Sequence, residues 1–263
     1  EEISKSNNAH MHLDLIAGLP YEDYSSFKTS FDGIHNLNAE KIQLGFLKVL
    51  KGTKIYDDKD KHQIKYRLKA PYEVICTKYI TLEEILKLKD IEELVDKYYN
   101  EKYFDNSLKY IINNIFPYSA FTFYESFSEY WQENDLYNKA HSRKKLYKIL
   151  YDYIGYINKM NDEFISALKF DYIFNNQHED LPDYLDRDSE DKFKNIKRRL
   201  ANDNEFKNKY FFSIEGKVIN DFRIAEIGGN VILFIYREKN NIFNRCETYD
   251  INYLRETDYN EKQ

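Results

Sequence analysis

The stretch HLDLIAGLPYEDYSSFKTSFDGIHNLNAEKIQLGFLKVLKGT, residues 12–53, decides how the rest of the chain is read. Residues 12–17 form an apolar run interrupted by one carboxylate, Asp14. Gly18 and Pro20 end that run, because neither suits continued strand pairing. Asp23 is placed to cap a helix whose apolar positions Phe27, Phe31, Ile34 and Leu37 recur at spacings of 4, 3 and 3. Residues 41–49 read as a second strand. Two strands joined by such a helix are expected to pair in parallel through a right-handed crossover. Ligands of parallel α/β sheets lie beyond the carboxyl ends of the strands. Gly18, Leu19 and Pro20, and later Leu47 and Lys48, belong to that edge.

DLIAGLPYED (14–23) followed by IQLGFLKVLKGT (42–53) resembles the fifth and sixth strands of a radical S-adenosylmethionine (radical SAM) barrel. The closer similarity is to the cobalamin-binding-domain group of those proteins, many of which carry an uncharacterised domain after the barrel. APYEVICTKYITLEEILKLKDIEELVDKYYN (70–100), LKFDY (168–172) and LPDYL (181–185) are similar to that extension, so the resemblance covers most of the chain. It implies a C-terminal piece of a larger enzyme. The whole protein would cleave S-adenosylmethionine reductively with a [4Fe-4S] cluster, for radical chemistry or cobalamin-borne methyl transfer on an unknown substrate. The CxxxCxxC loop that holds such a cluster is missing, since Cys76 and Cys246 are the two cysteines. The chain alone is therefore expected to be inactive and to carry no cofactor. Its partner would be the upstream part of the same polypeptide, or a second copy that hides the exposed barrel remnant.

By the same resemblance, Asp14 lies near bound S-adenosylmethionine. From the residues alone, an acid in a buried strand needs a partner, which backbone amides can also supply. Gly18, Leu19 and Pro20 form the turn where related enzymes approach the adenine through backbone; ending a strand is an equally good reason for them. Gln43, an amide in mid-strand, faces the barrel lumen, where it contacts substrate or cofactor or pairs with another interior group. Glu22 and Asp23 serve the helix start.

Composition narrows the alternatives. A net charge of −6 provides no bulk attraction for nucleic acid or an anionic membrane, and weakens an RNA-modification reading. No apolar run approaches the roughly 20 residues of a membrane span. Two distant cysteines suit a reducing cytoplasm. Metal ligation is not expected: His10 and His12 share a face if both are in the strand, but a closed zinc site takes about four ligands, and His35, His62, His141 and His178 stand alone. Both cysteines read as small apolar residues.

The fold class expected is α+β and mostly helical, with residues 1–68 a barrel remnant plus connection and 69–263 a helical domain ending in a small antiparallel sheet. Thr81 with Glu84 makes a capping box for a helix carrying Leu82, Ile85, Leu86, Ile91, Leu94, Val95 and Tyr98. Further helices are expected over 105–115, 119–133, 142–168 (the longest) and 189–201. The aromatic face from Phe123 to Trp131 fits a buried helix side better than a base-stacking platform. The basic runs Arg143–Lys145 and Lys197–Arg199 fit solvated helix faces. Strand-like runs follow at 210–214, 222–227, 231–237 and 242–249, with Gly228-Gly229-Asn230 and Asn240-Asn241 as hairpin turns. In the acidic loop after residue 168, Asp171, His178 and Asp180 are candidates to meet. The competing class is a non-enzymatic module whose helices dock a protein or peptide.

Overall fold

The computed structural model describes residues 11–185, 191–210, 221–236 and 246–252. The chain is α+β and mostly helical, with small sheets and no closed barrel among the described residues. It divides into two compact units, 1–143 and 144–263.

The first unit opens with β1 (His12–Ala17), α1 (Tyr24–His35) and β2 (Lys41–Phe46), and the two strands pair in parallel. Asp23 caps α1 by accepting from the Ser26 amide, while the Ser26 hydroxyl takes the Asp23 amide in return. The expected apolar stripe holds at Phe27 and Phe31 and then departs from the pattern. Helix α1 ends at His35, which is itself buried, while Leu37 is half exposed beyond the last turn. Asn38, with φ 52°, reverses the chain there in a conformation Asn tolerates. A short α2 (Lys54–Asp57) and the two-stranded β3 (Lys65–Tyr66) and β4 (Val74–Cys76) occupy the charged connection.

Helix α3 (Leu82–Leu94) has the capping box expected of Thr81 and Glu84 and runs on through a π-helical turn, Val95–Asn100. Its buried face is Ile85, Leu88, Ile91 and Leu94; Leu82 and Leu86 point outward. Next come α4 (Asp105–Tyr110), which also ends in a π-helical turn (Ile111–Ile115), and α5 (Ala120–Glu133), capped by Ser119. On α5, Phe121, Phe123, Tyr124, Phe127 and Trp131 are fully buried, so the aromatic face is core. Tyr98 sits 5.0 Å from Phe127, and Phe31 meets Phe121 edge-on at 5.5 Å. These are the offset geometries that ring quadrupoles favour. The Asp32 carboxylate accepts the Phe121 amide at 2.8 Å and ties α1 to the start of α5.

In the second unit the single long helix expected over 142–168 is two: α6 (Arg143–Tyr156) and α7 (Asp162–Asn175). The break is a C-terminal reversal at Asn158, φ 56°, with Lys159 donating to the Ile154 carbonyl and Asn158 to that of Gly155. Asn161 then caps α7. After α8 (Asp191–Asn202) comes α9 (Asn204–Tyr210), which ends on Tyr210, the first residue of the strand expected over 210–214; Asp203 caps it by accepting from the amides of Glu205 and Phe206. The sheet β5 (Phe222–Ile227), β6 (Asn230–Tyr236) and β7 (Cys246–Asp250) is an antiparallel meander. Gly228 and Gly229, both at positive φ, make its first hairpin. One face packs Phe222, Ile224, Leu233 and Ile235 on Phe193, Ile196 and Leu200 of α8. The other meets α7, where Phe234 lies 5.3 Å from Phe170 and the Tyr236 hydroxyl donates to the Ile173 carbonyl. The turn expected at Asn240-Asn241, and the strand starts expected at 211–214 and 242–245, lie outside the described residues.

Candidate functional site

The alternation of side chains in β1 and β2 sorts the two-stranded sheet into unlike faces. Leu15, Ala17, Ile42, Leu44 and Phe46 are buried. The opposite face carries His12, Asp14 and Ile16 from β1 and Lys41, Gln43 and Gly45 from β2, all exposed except the partly covered Gly45. The register puts Asp14 directly beside Gln43, with His12 beside Lys41 and Ile16 beside Gly45. Both sequence-derived polar candidates therefore share one face. Asp14, expected in a buried strand, is exposed, and among the described residues its carboxylate and the Gln43 carboxamide accept or donate no hydrogen bond. The surface is mixed rather than uniformly apolar, with Ile16 45% exposed between the polar groups.

Gly18, Leu19 and Pro20 follow β1 at the carboxyl edge, and the Leu47 amide donates to the Ala17 carbonyl at 2.9 Å. Gly18 has φ +86°, and a Cβ there would stand 2.8 Å from Cγ1 of buried Val74. The Val74 amide donates to the Leu47 carbonyl, so the start of β4 lies against the turn. Leu19 is 37% exposed at the rim. At the end of β2, Lys89 lies over the Phe46 ring at 3.9 Å and pairs with Glu73 at 2.6 Å.

The sequence alone did not bring Tyr21, His62 and Tyr79 together. Tyr21, at φ 70°, extends from the turn with its ring 5.2 Å from His62 and 5.4 Å from Tyr79. His62 is buried, its Nδ1 3.1 Å from the Tyr79 hydroxyl. These residues are far apart in the chain, and no local pattern marks the cluster. His35 is buried between Phe31 and Tyr99, and its Nε2 has no hydrogen-bond partner. Desolvation drives its pKa down to about 4, despite the nearby Asp32 carboxylate.

The candidates of the second unit do not converge. Asp171 is buried in α7, whereas His178 is exposed beside Asp221 at 3.9 Å and Asp180 is exposed, its carbonyl accepting from the Tyr172 hydroxyl. Cys246 is buried and its thiol is pushed up to about 12, the mark of an unreactive thiol. No group of three or more His, Cys, Asp or Glu among the described residues is placed to hold a metal ion. Among those residues no helix is long and apolar enough to cross a membrane.

The chain belongs to the DUF4080 family, proteins of unknown function, whose model matches residues 60–240. No curated protein matches it. The β1–α1–β2 unit precedes the matched segment.

Proposed function

We propose that β1–α1–β2 is the end of a radical S-adenosylmethionine barrel and that the DUF4080 segment is the domain built onto it. The observation that carries this reading is the one-sided sheet: a parallel pair with a buried face and an open face on which Asp14 stands beside Gln43. Parallel sheets normally have both faces covered, so the open face belongs to a larger enclosure. The DUF4080 domain is known to occur in radical SAM and cobalamin-binding proteins, which supports the same assignment.

The residues present fit part of the cofactor set. Asp14 can accept from hydroxyl or ammonium groups of S-adenosylmethionine, Gln43 can both donate and accept, and Gly18, Leu19 and Pro20 offer backbone at the strand edge. The residues do not fit an iron–sulfur cluster, which takes several thiolates: Cys76 and Cys246 lie in separate units, and the second is inert. The upstream cluster would supply the reductive cleavage; this chain would hold the nucleoside and close one side of the chamber. No residue here is assigned to cobalamin. The two free cysteines suit a reducing cytoplasm.

The test is an anaerobic assay for 5′-deoxyadenosine with the polypeptide extended upstream of Glu1 in its reading frame and reconstituted with iron and sulfide, against the 263-residue chain. Cleavage by the extended protein alone is the expected result. A cluster-loaded extended protein that leaves S-adenosylmethionine intact with and without candidate substrates would count against the proposal. An upstream sequence with no cysteine loop would leave the helical body as a docking module.

A further inference from the structure

The total charge of −6 conceals a basic stretch. Residues 48–69 carry eight lysines and arginines against three aspartates, a net of +5. Lys48, Lys51, Lys54, Lys65, Arg67 and Lys69 are all exposed, and among the described residues none of them pairs with a carboxylate. The backbone gathers them on one rim. Lys48 forms an antiparallel bridge with Glu73, and the Val49 amide donates to the Tyr72 carbonyl at 2.9 Å. Across the β3–β4 hairpin the Arg67 amide donates to the Glu73 carbonyl at 2.9 Å, and the Tyr72 amide closes the loop onto the Lys69 carbonyl at 3.0 Å. The Tyr56 and Tyr66 rings, edge to face at 6.5 Å, hold α2 beside β3. Glu73, the acid bridged to Lys48, is already committed to Lys89 at 2.6 Å. Cations gathered in this way repel one another until an anion relieves them.

The same rim is apolar at its most exposed points. Leu68, between Arg67 and Lys69, is 83% exposed, with Leu50 at 45% and Tyr72 at 39%. Val49 is buried, so Lys48 and Leu50 on either side of it turn outward together. This combination selects the partner. A small anion is held by converging, partly enclosed groups, whereas these cations are spread over an open surface. Nucleic acid takes cations on its phosphates and flat rings on its bases, and an aliphatic tip gains nothing there. An anionic bilayer satisfies both halves: headgroups meet the cations, the acyl boundary takes Leu68, and lysine stems lie along the apolar side. We propose that the rim formed by residues 48–54 and 65–72 docks peripherally on an anionic lipid bilayer, with Leu68 entering the acyl boundary. This is independent of the barrel reading, because the rim lies within one compact unit of this chain.

Vesicle co-sedimentation tests this with the 263-residue chain and with the polypeptide extended upstream of Glu1. Vesicles of phosphatidylcholine alone are compared with a phosphatidylcholine–phosphatidylglycerol mixture. Both proteins should bind the mixture and leave phosphatidylcholine, and binding should fall as salt rises. Lys51→Gln, Arg67→Gln and Lys69→Gln should each weaken binding roughly fivefold, and Leu68→Ala roughly tenfold. Lys144→Gln, on the exposed start of α6, should leave it unchanged. In Leu68→Trp, the new indole should shift its emission to the blue on binding; Trp131, the one native tryptophan, is fully buried and serves as a fixed background. Equal binding to both vesicles, no binding to the anionic ones, or an unshifted emission would overturn the proposal. So would loss of binding in the extended protein, which assigns the rim to the preceding polypeptide. Tighter binding to single-stranded RNA than to the anionic vesicles, weakened by the same lysine and arginine variants, would assign it to nucleic acid instead.

Discussion

Replacing Gly18 by Ala tests how the turn at the strand edge is held, and the structure separates two costs. The first is conformational: at φ +86° an L side chain costs roughly 1–3 kcal/mol. The second is steric. The new Cβ would lie 2.8 Å from Cγ1 of Val74 and 3.3 Å from its Cγ2. Val74 is buried and β-branched, hence stiff at χ1, and overpacking of this kind costs about 1–3 kcal/mol. Gly52 provides the control, because its φ is +83° yet a Cβ there meets nothing within 4 Å. Gly52→Ala should therefore show the conformational cost alone, and Gly18→Ala should exceed it by the overlap, about 1–3 kcal/mol. Urea unfolding of the 263-residue chain would read both as midpoint shifts at constant slope. In a double-mutant cycle, Val74→Ala should cost less in the Gly18→Ala background than in the parent, because it removes the overlap. Equal destabilisation by the two glycine variants, or strict additivity with Val74→Ala, would refute the packing account of this turn.

Further outcomes follow from the same physics. His35 has a folded pKa of about 4 against an ordinary 6.5, so the folded state disfavours its proton. Its contribution is complete above pH 6.5 and is lost as pH falls toward 4, by up to about 3 kcal/mol. His35→Leu should flatten that part of the stability profile relative to the parent, and an unchanged slope would contradict the assignment. Asn161→Ala should destabilise α7 by about 1 kcal/mol through the lost cap on the Phe164 amide, read by thermal unfolding. Asn158→Gly should stabilise slightly and Asn158→Ala should cost about 1 kcal/mol, since the residue sits at φ 56°. Phe127→Ala should cost about 3–5 kcal/mol as a fully buried ring among Tyr98, Phe123 and Trp131.

Features governed by neighbouring residues were legible in the sequence. Asp23 and Thr81 cap where their spacing to Ser26 and Glu84 allows, and Gly228-Gly229 turns the hairpin its flanking apolar runs require. The break at Asn158 was missed because Ile149, Ile154, Ile157 and Phe164 sustain a helical period across it, which outweighed the turn chemistry of Asn158 and Asn161. Tyr210 looked strand-like amid aromatics, yet the Asp203 cap starts a helix that buries Phe206 and Tyr210 together. For Asp14 and Gln43, the strand period puts them on one face, but which face is covered depends on where α1 packs and on the π-helical turn Val95–Asn100, far along the chain. The Asn100–Ile42 pairing spans 58 residues, and the Tyr21–His62–Tyr79 cluster is equally non-local. Nothing in a local window encodes either.

In the proposed reading, the open face of β1 and β2 holds S-adenosylmethionine in the whole protein. The most direct test of that reading is calorimetric titration of that ligand into the cluster-loaded extended polypeptide, comparing the parent with Asp14→Asn and Gln43→Ala. Each variant should lose roughly tenfold in affinity, the worth of about one hydrogen bond, while the cluster absorption stays the same. Unchanged affinity in both variants would place the nucleoside elsewhere and contradict the account.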